Sequence, residues 1–497
     1  MTRFQEYKRE LLVFLVFSIL FFIFIWPALL EGGWASYENR GDTHFYADTA
    51  RNFSESGHMR WRELYPVLLL PGAGTDMVWS AFGHPLAIAA THWLSGLGEA
   101  ESAFVVSSLS YYFVLLGLYA IGLRVGLWGG LLLAGAGLVL PNCREYAQSG
   151  GTEALSQAVL VWTFFLLLRY LKKPRPGSLT ALLSIALLGS FIRPHNSFLL
   201  ISLIVVAFML PRGGRRLFIL SWLTANGVGF LLNMVLLWGE PLRFSYLFSF
   251  WVSTGLYPGH ELFRCYMEGP GLPDLWEHRE LLLEKMFAGW RLLKLNWPGW
   301  LWQAFATFLL FLRREFRPLA GSLSLVFAAG TFFACMGHLV PRYWLILEPL
   351  SLIACFLSLY PLGERLPQWS RAIMVAAVLF AALFVTPGQW GFSGRRLHEV
   401  VLPEKLVSLV PDSGLLASDR PAQLIDRFRR PILWCPRDSE VLGRISEEVE
   451  QISAILLSPN IREDELGQWK GAEVRKELER MGYGYAREAG WQLFFME

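Results

Sequence analysis

The chain has 497 residues, with 44 Lys+Arg against 41 Asp+Glu, 17% charged and 54% hydrophobic, and its apolar excess is gathered in blocks such as 11–25, 154–168 and 217–237. A water-soluble domain runs nearer a quarter charged. This distribution therefore excludes a soluble single-core enzyme, a disordered chain and a small secreted scaffold, and leaves a polytopic membrane protein. The net charge of +3 gives no reason for a nucleic-acid partner, and the five cysteines, without a CxxC pair, build no zinc or redox framework.

In chain order, Arg3, Lys8 and Arg9 precede an apolar run that reaches Leu30 without a small-x-small cleavage site. That reads as an uncleaved first span. A spanning helix needs ~20 mostly apolar residues. On that rule the spans fall near 11–30, 102–122, 126–141, 154–170, 179–192, 195–211, 217–238, 297–312, 319–337, 344–360 and 372–388, about eleven in all. With the N-terminus cytoplasmic, every basic cluster (Arg3/Lys8/Arg9, Arg124, Lys172/Lys173/Arg175, Arg212/Arg215/Arg216, Arg313/Arg314/Arg317, Arg365/Arg371) falls on the same side. The odd span count puts the C-terminus outside. Residues 82–97 are apolar but interrupted by His84, Pro85, Thr91 and His92, and counting them as a span would invert every later loop. They read as an amphipathic helix on the outer surface, with Trp93 at headgroup depth.

The expected organisation is a transmembrane domain over 1–390, with external loops 31–101 and 239–296, followed by a soluble extracytoplasmic α/β domain over 391–497. In that tail, Gly414–Asp419, Pro431–Pro436 and Ile452–Pro459 read as strands, and 420–429, 438–451 and 463–482 carry helical periodicity. Tyr483–Glu497 reads as a hairpin turning at Glu488–Ala489–Gly490. No Gly-rich phosphate loop and no nucleophile elbow is present, which makes the tail an accessory domain.

Ionisable residues are scarce inside the spans, which argues against a proton-coupled pump. Polar residues gather instead at the outer span ends: Asp42, Asp48 and Arg51 after the first, Glu153 before the fourth, Arg193 after the fifth, His338 and Arg342 after the ninth. Acids and bases on one membrane face suit a substrate with a lipid tail and an anionic head. The run Gly41-Asp-Thr-His-Phe-Tyr-Ala-Asp-Thr-Ala-Arg-Asn-Phe-Ser-Glu-Ser-Gly57 resembles the first-loop motif of GT-C glycosyltransferases, the multi-span enzymes that use polyprenyl-phosphate sugars. It is similar in particular to lipid A aminoarabinose transferases and protein O-mannosyltransferases, and Asp42, Tyr46, Arg51 and Gly57 match the family spacing. The resemblance continues through His84-Pro85-Leu86, Glu153, Arg193-Pro194 and His338-Leu-Val-Pro-Arg-Tyr343 with Pro349, over roughly 1–350. It departs where the family's Asp-Glu pair is Asp42-Thr43, and where Glu153 replaces a more usual Asp. Family metal-binding residues are not recognisable, which leaves a divalent metal open.

The resemblance implies transfer of a sugar from a polyprenyl-phosphate donor to an external glycolipid, polysaccharide or protein acceptor, in a bacterial inner membrane. Displacing the phosphate builds negative charge at the membrane surface, which fixed cations stabilise. Arg193 and Arg342 are the candidates, with His338, His84 and Arg51 beside them, because a guanidinium fork holds two phosphate oxygens. Asp42 is the expected base for the acceptor hydroxyl, which predicts inversion. Glu153 would orient it, orient the acceptor or share a metal with it, and Tyr46 and Tyr343 would contact substrate. Bland readings stand beside these: Asp48 as a helix-dipole charge, Glu153 as a first-turn acid behind a Thr152 cap, and the arginines as headgroup anchors. A flippase of lipid-linked sugars and a non-enzymatic envelope assembly protein are the rival classes.

Overall fold

The computed structural model describes residues 3–34, 41–57, 63–64, 82–193, 196–236, 297–336, 348–359, 402–419, 432–435, 452–458 and 471–496, with a few isolated positions between 367 and 443. The chain divides into two compact units. The first is helical and comprises Met1–Ser36, Ser80–Pro241 and Glu280–Ser393; the second takes in Tyr37–Trp79, Leu242–Arg279 and Gly394–Glu497.

The helical unit opens with α1 (Arg3–Leu20), which runs through one π-helical turn (Phe21–Ile25) into α2 (Trp26–Trp34). Leu12, Ile23 and Phe24 on this rod are exposed, the pattern of a helix that faces hydrocarbon. Its other side docks on α5 (Glu99–Gly122): Trp26 Nε1 donates to Ser108 Oγ at 2.7 Å, and Ser18 and Tyr112 share a 2.7 Å hydrogen bond. Before α5 lies α4 (Gly83–Ser95), the segment expected to lie on the outer surface; it ends at Gly96 in the left-handed region. After α5 come α6 (Leu127–Val139), α7 (Pro141–Ala147), α8 (Thr152–Lys172), α9 (Pro176–Ile192), α10 (Ser197–Met209) and α11 (Arg212–Leu236). The later helices of the unit are α12 (Trp297–Phe311), α13 (Arg317–Met336) and α14 (Glu348–Leu359).

Packing follows small residues and buried hydroxyls rather than charge. A Cβ on Gly117 of α5 would meet Val161 Cγ1 of α8 at 2.5 Å, so the two helices approach more closely than any larger side chain allows. Between α10 and α13, Ser202 and Ser322 share a buried 2.6 Å hydrogen bond. Three helical stretches, Glu10–Glu31, Glu99–Val125 and Thr152–Lys172, are long and apolar enough to cross a membrane. Shorter apolar helices cover Leu127–Val139, Pro176–Ile192, Leu199–Met209 and Glu348–Ser358. The fold is thus polytopic and α-helical. Apart from Ile373 and Ala376, the expected span at 372–388 lies outside the described residues, as does the loop 239–296.

The second unit holds α3 (Gly41–Ser56) and a six-stranded sheet. Its strands are β1 (Glu63–Leu64), β2 (Leu415–Ser418), β3 (Ile432–Trp434), β4 (Ile452–Leu457), β5 (Gly484–Glu488) and β6 (Trp491–Phe495), in the order β1-β3-β2-β4-β6-β5. The first four pair in parallel, and β6 and β5 add antiparallel. The short α15 (Glu404–Val407) precedes the sheet, and α16 (Gly471–Arg480) crosses between β4 and β5. Strand periodicity sends alternate residues to two cores. Leu415, Ala417, Leu433, Ile455 and Leu457 meet Val474 and Leu478 of α16 on one face, while Leu416, Ile432, Ala454 and Leu456 meet Leu406 and Leu424 on the other. The expected tail strands and hairpin are all present, with Ala489 and Gly490 at positive φ in the turn. Unforeseen is β1: two residues of the first loop pair with β3 in the register Glu63↔Ile432 and Leu64↔Leu433.

Candidate functional site

Within the helical unit several segments converge on one turn. Residues Ser149–Gly151 join α7 to α8; Gly150 adopts φ +63°, a left-handed conformation glycine takes without steric cost. Gly151 N–H donates to Ser149 Oγ at 3.0 Å, and Gly151, not Thr152, is the N-cap of α8. Ser107 Oγ of α5 donates to the Gly151 carbonyl at 3.1 Å. From α4, the His84 imidazole reaches the Gly150 carbonyl through Nε2 at 2.9 Å. The start of α4 lies against the end of α9: Phe82 and Phe191 stack with ring centroids 4.8 Å apart, and a Cβ on Gly83 would stand 2.9 Å from the Phe191 carbonyl.

This framework carries an ion pair. Glu153, in the first turn of α8, and Arg193, the C-cap of α9, meet at 3.1 Å between Oε1 and Nη2, each side chain only 8% exposed. The carboxylate stands at a helix N-terminus and the guanidinium at a helix C-terminus, so both macrodipoles favour the charges they carry. One turn deeper, Asn196 Nδ2, at the N-cap of α10, donates to Ser156 Oγ at 2.5 Å and ties α8 to the start of α10 with neutral groups. His84 is fully buried, and burial lowers its pKa to about 4, outweighing the opposing pull of the Gly150 carbonyl and Glu153. At pH 7 it is a neutral imidazole that donates from Nε2 to Gly150. Through that bond it holds the turn that leads to Glu153.

Residues the sequence reading passed over complete the cluster. Tyr146 on α7 is buried, and burial, with the carboxylates of Glu153 and Glu348, pushes its phenol up while Arg193 opposes. Glu348 opens α14 at 1% exposure. Cys143 is a buried free thiol beside Gln157 and within electrostatic reach of Glu348. Two buried carboxylates, a guanidinium and a phenol thus gather where α7, α8, α9 and α14 come together. A signal existed for Glu348: it is an acid within the expected span 344–360, where an ionisable side chain is costly unless it has a task.

The other candidates lie elsewhere. Asp42, Tyr46 and Arg51 are on α3 in the second unit, Asp42 in its first turn and Tyr46 buried. On the same helix Asp48 is 1% exposed and accepts from Asn52 Nδ2 at 3.5 Å, so it is no surface dipole charge. His338, Arg342 and Tyr343 lie outside the described residues. Among the described residues no group of three or more His, Cys, Asp or Glu side chains is arranged to hold a metal ion.

No protein-family model matches the sequence, and no curated protein does. Solved structures do. The oligosaccharyltransferase of Archaeoglobus fulgidus, in a complex with zinc and sulfate, superposes with a TM-score of 0.51 at 12% identity over 92% of this chain and 69% of its own. The same archaeal enzyme, AglB, with an inhibitory peptide and a dolichol-phosphate gives 0.50 at 11% identity, covering 95% and 74%. The chain shares the fold of these oligosaccharyltransferase structures. ArnT of Cupriavidus metallidurans bound to undecaprenyl phosphate covers 96% of this chain and 98% of its own at 14% identity, with a TM-score of 0.47.

Proposed function

We propose that this GT-C chain is a membrane glycosyltransferase that moves a sugar from a polyprenyl-phosphate donor to an acceptor on the external face. The observation that carries the reading is the buried Glu153–Arg193 pair, set where α8 begins and α9 ends. Its support is threefold: the fold shared with an archaeal oligosaccharyltransferase that binds a dolichol-phosphate and a peptide, the first-loop motif, and the scarcity of ionisable groups inside the spans. In this reading the protein crosses a bacterial inner membrane about eleven times, N-terminus inside and tail outside.

The prenyl tail lies among apolar helices and leaves its phosphate at the outer span ends. Arg193 faces the departing phosphate. A guanidinium carries five N–H donors, so it can hold Glu153 and a phosphate oxygen together. Burial strengthens that interaction because water competes weakly there. Arg342, His338 and Arg51 are the further cations that the motif order assigns to the phosphate. Asp42 takes the acceptor proton as the anomeric carbon is attacked from the face opposite the phosphate, which inverts its configuration. Tyr46 and Tyr343 contact substrate, and Glu153 fixes the fork of Arg193.

The test is transfer by purified protein in lipid, with a panel of radiolabelled polyprenyl-phosphate sugars and membrane extract as acceptor source. Turnover by wild type, abolished in Asp42→Asn with donor binding intact, is the expected result. Donor movement across the bilayer without glycosidic transfer would instead establish a flippase.

A further inference from the structure

The ends of α5 and α8 far from the Glu153–Arg193 pair carry two cations that the transfer reaction does not use. The two helices run side by side in the same direction. Ser107 of α5 meets Gly151 where α8 begins, a Cβ on Gly117 would touch Val161 midway, and Trp162 Nε1 donates to the Phe113 carbonyl at 3.0 Å. Both helices are long and apolar enough to cross a membrane, and α8 rises about 24 Å between Glu153 and Arg169 at 1.5 Å per residue. Their far ends therefore emerge at one membrane surface. Trp128 marks that level. It is 61% exposed at the start of α6, just after the 3-10 turn Leu123–Val125 that follows α5, and an exposed Trp there favours headgroup depth.

At these ends α5 brings Arg124 and α8 brings Arg169. The Arg124 guanidinium lies over the Phe165 ring, 5.7 Å from its centroid, which holds it against α8 by a cation–π contact. Arg169 follows Phe165 by one helical turn on the same face, within electrostatic reach of Arg124. Both arginines are exposed. Among the described residues neither pairs with a carboxylate or donates to a carbonyl. Glu10 of α1 comes within electrostatic reach of Tyr119, more than a turn earlier on α5, and pairs with neither. At two other basic turns the arginines find partners inside the chain. Arg215 Nη2 donates to the Phe208 and Leu210 carbonyls at 2.8 and 3.2 Å, Arg317 Nε donates to the Phe311 carbonyl at 3.2 Å, and Arg313 pairs with Glu315 at 3.5 Å. The general bias of basic residues towards one side of a membrane places charges at span ends. It gives no reason for two guanidiniums to be held together without a counter-charge.

Such a pair suits a phosphate, whose oxygens can accept from both forks. The groove beneath it selects the source. Phe113 is 48% exposed there, and Trp162 and Phe165 are half-buried with ring centroids 5.3 Å apart. Apolar surface at hydrocarbon depth, capped by cations at headgroup depth, matches a lipid rather than a free ion, and basic pockets between spanning helices are where anionic headgroups settle.

We propose that the groove between the ends of α5 and α8 holds one anionic phospholipid, its headgroup phosphate bridging Arg124 and Arg169 and its acyl chains lying over Phe165, Trp162 and Phe113. The site is independent of the glycosyltransferase reading. Native mass spectrometry of the full chain in neutral detergent tests it, titrated with phosphatidylglycerol, with phosphatidylcholine of the same chains, and with glycerol 3-phosphate as the headgroup without chains. Phosphatidylglycerol should bind roughly thirtyfold tighter than phosphatidylcholine, and each of Arg124→Gln and Arg169→Gln should weaken it about fivefold. The double variant should lose the preference. Arg175→Gln, which removes the same charge at the N-cap of α9, should leave it within about twofold. Melting in lipid-free detergent separates binding from folding: the Arg124 and Arg169 variants should melt at or above wild type, because each relieves a repulsion, and phosphatidylglycerol should raise the melting of wild type alone. Equal affinity for the two lipids, or an Arg175→Gln as damaging as Arg124→Gln, would reduce the site to diffuse charge and overturn the proposal. Glycerol 3-phosphate binding as tightly as the lipid would make it a free-phosphate site, and variants melting below wild type without lipid would show a partner within the chain; either result also overturns it.

Discussion

Breaking the Glu153–Arg193 pair separates its structural part from its chemical part. At 3.1 Å and an effective dielectric of about 20, the two charges attract by about 5 kcal/mol. Part of that offsets the cost of removing both from water, so the pair itself contributes little against an apolar replacement. Removing one member is different, because the survivor stays buried and uncompensated. Glu153→Gln and Arg193→Met should each cost ~3–5 kcal/mol of stability. The double variant carries no charge at either position and should cost much less than the sum, a coupling of at least ~2 kcal/mol. Apparent melting in nanodiscs reads this directly: the double variant melts above either single one. Donor transfer behaves oppositely. Arg193→Met and the double variant both lack the cation that stabilises the leaving phosphate, and both should lose roughly 10²–10³-fold in rate. Additive melting shifts would show that the pair does not couple α8 to α9, and a double variant with full transfer would remove Arg193 from the chemistry.

Three further outcomes follow from single residues. His84 has a folded pKa of about 4 against an ordinary 6.5, so the unfolded chain binds the extra proton first, and stability is lost as pH falls from about 6.5 towards 4. Wild type should lose about 2 kcal/mol between pH 7 and pH 5 from this group, and melting of His84→Asn should lack that component; equal pH dependence refutes the assignment. Gly83→Ala places a Cβ 2.9 Å from the Phe191 carbonyl and should destabilise by about 1–3 kcal/mol. Gly135→Ala on α6 meets nothing within 4 Å and should melt at or above wild type, so equal shifts in the two would refute the packing. Tyr483 is buried with its phenol pushed up to about 12, and it donates to the Ile452 carbonyl. Tyr483→Phe should lower the tail's melting transition by about 1–3 kcal/mol and leave that of the helical unit in place, as differential scanning calorimetry would read.

Much of this protein is written locally in its sequence. Apolar blocks bounded by charge set the helices, and the described ones at 99–122, 152–172 and 297–311 fall within a few residues of the expected spans. Short apolar runs between turn residues set the tail strands, and the hairpin announced itself by Glu488–Ala489–Gly490. These features are legible because periodicity and turn chemistry act over a few residues. What the tertiary structure decided was which distant groups meet. Glu153 reads as a first-turn acid and Arg193 as a span-end anchor, and nothing nearby in the chain tells either that the other is its partner. Glu348 sits within an expected span, and only the packing of α14 brings it within reach of Tyr146 and Cys143. Glu63–Leu64 is too short to carry a period, and it becomes a strand because β3 offers an unpaired edge. His84 is the sharpest case: composition gives a titratable group at a membrane surface, and burial makes it a neutral donor. Helix and strand cost are settled by neighbours in sequence, whereas charge state and pairing depend on desolvation, which exists only once the chain has closed around the group.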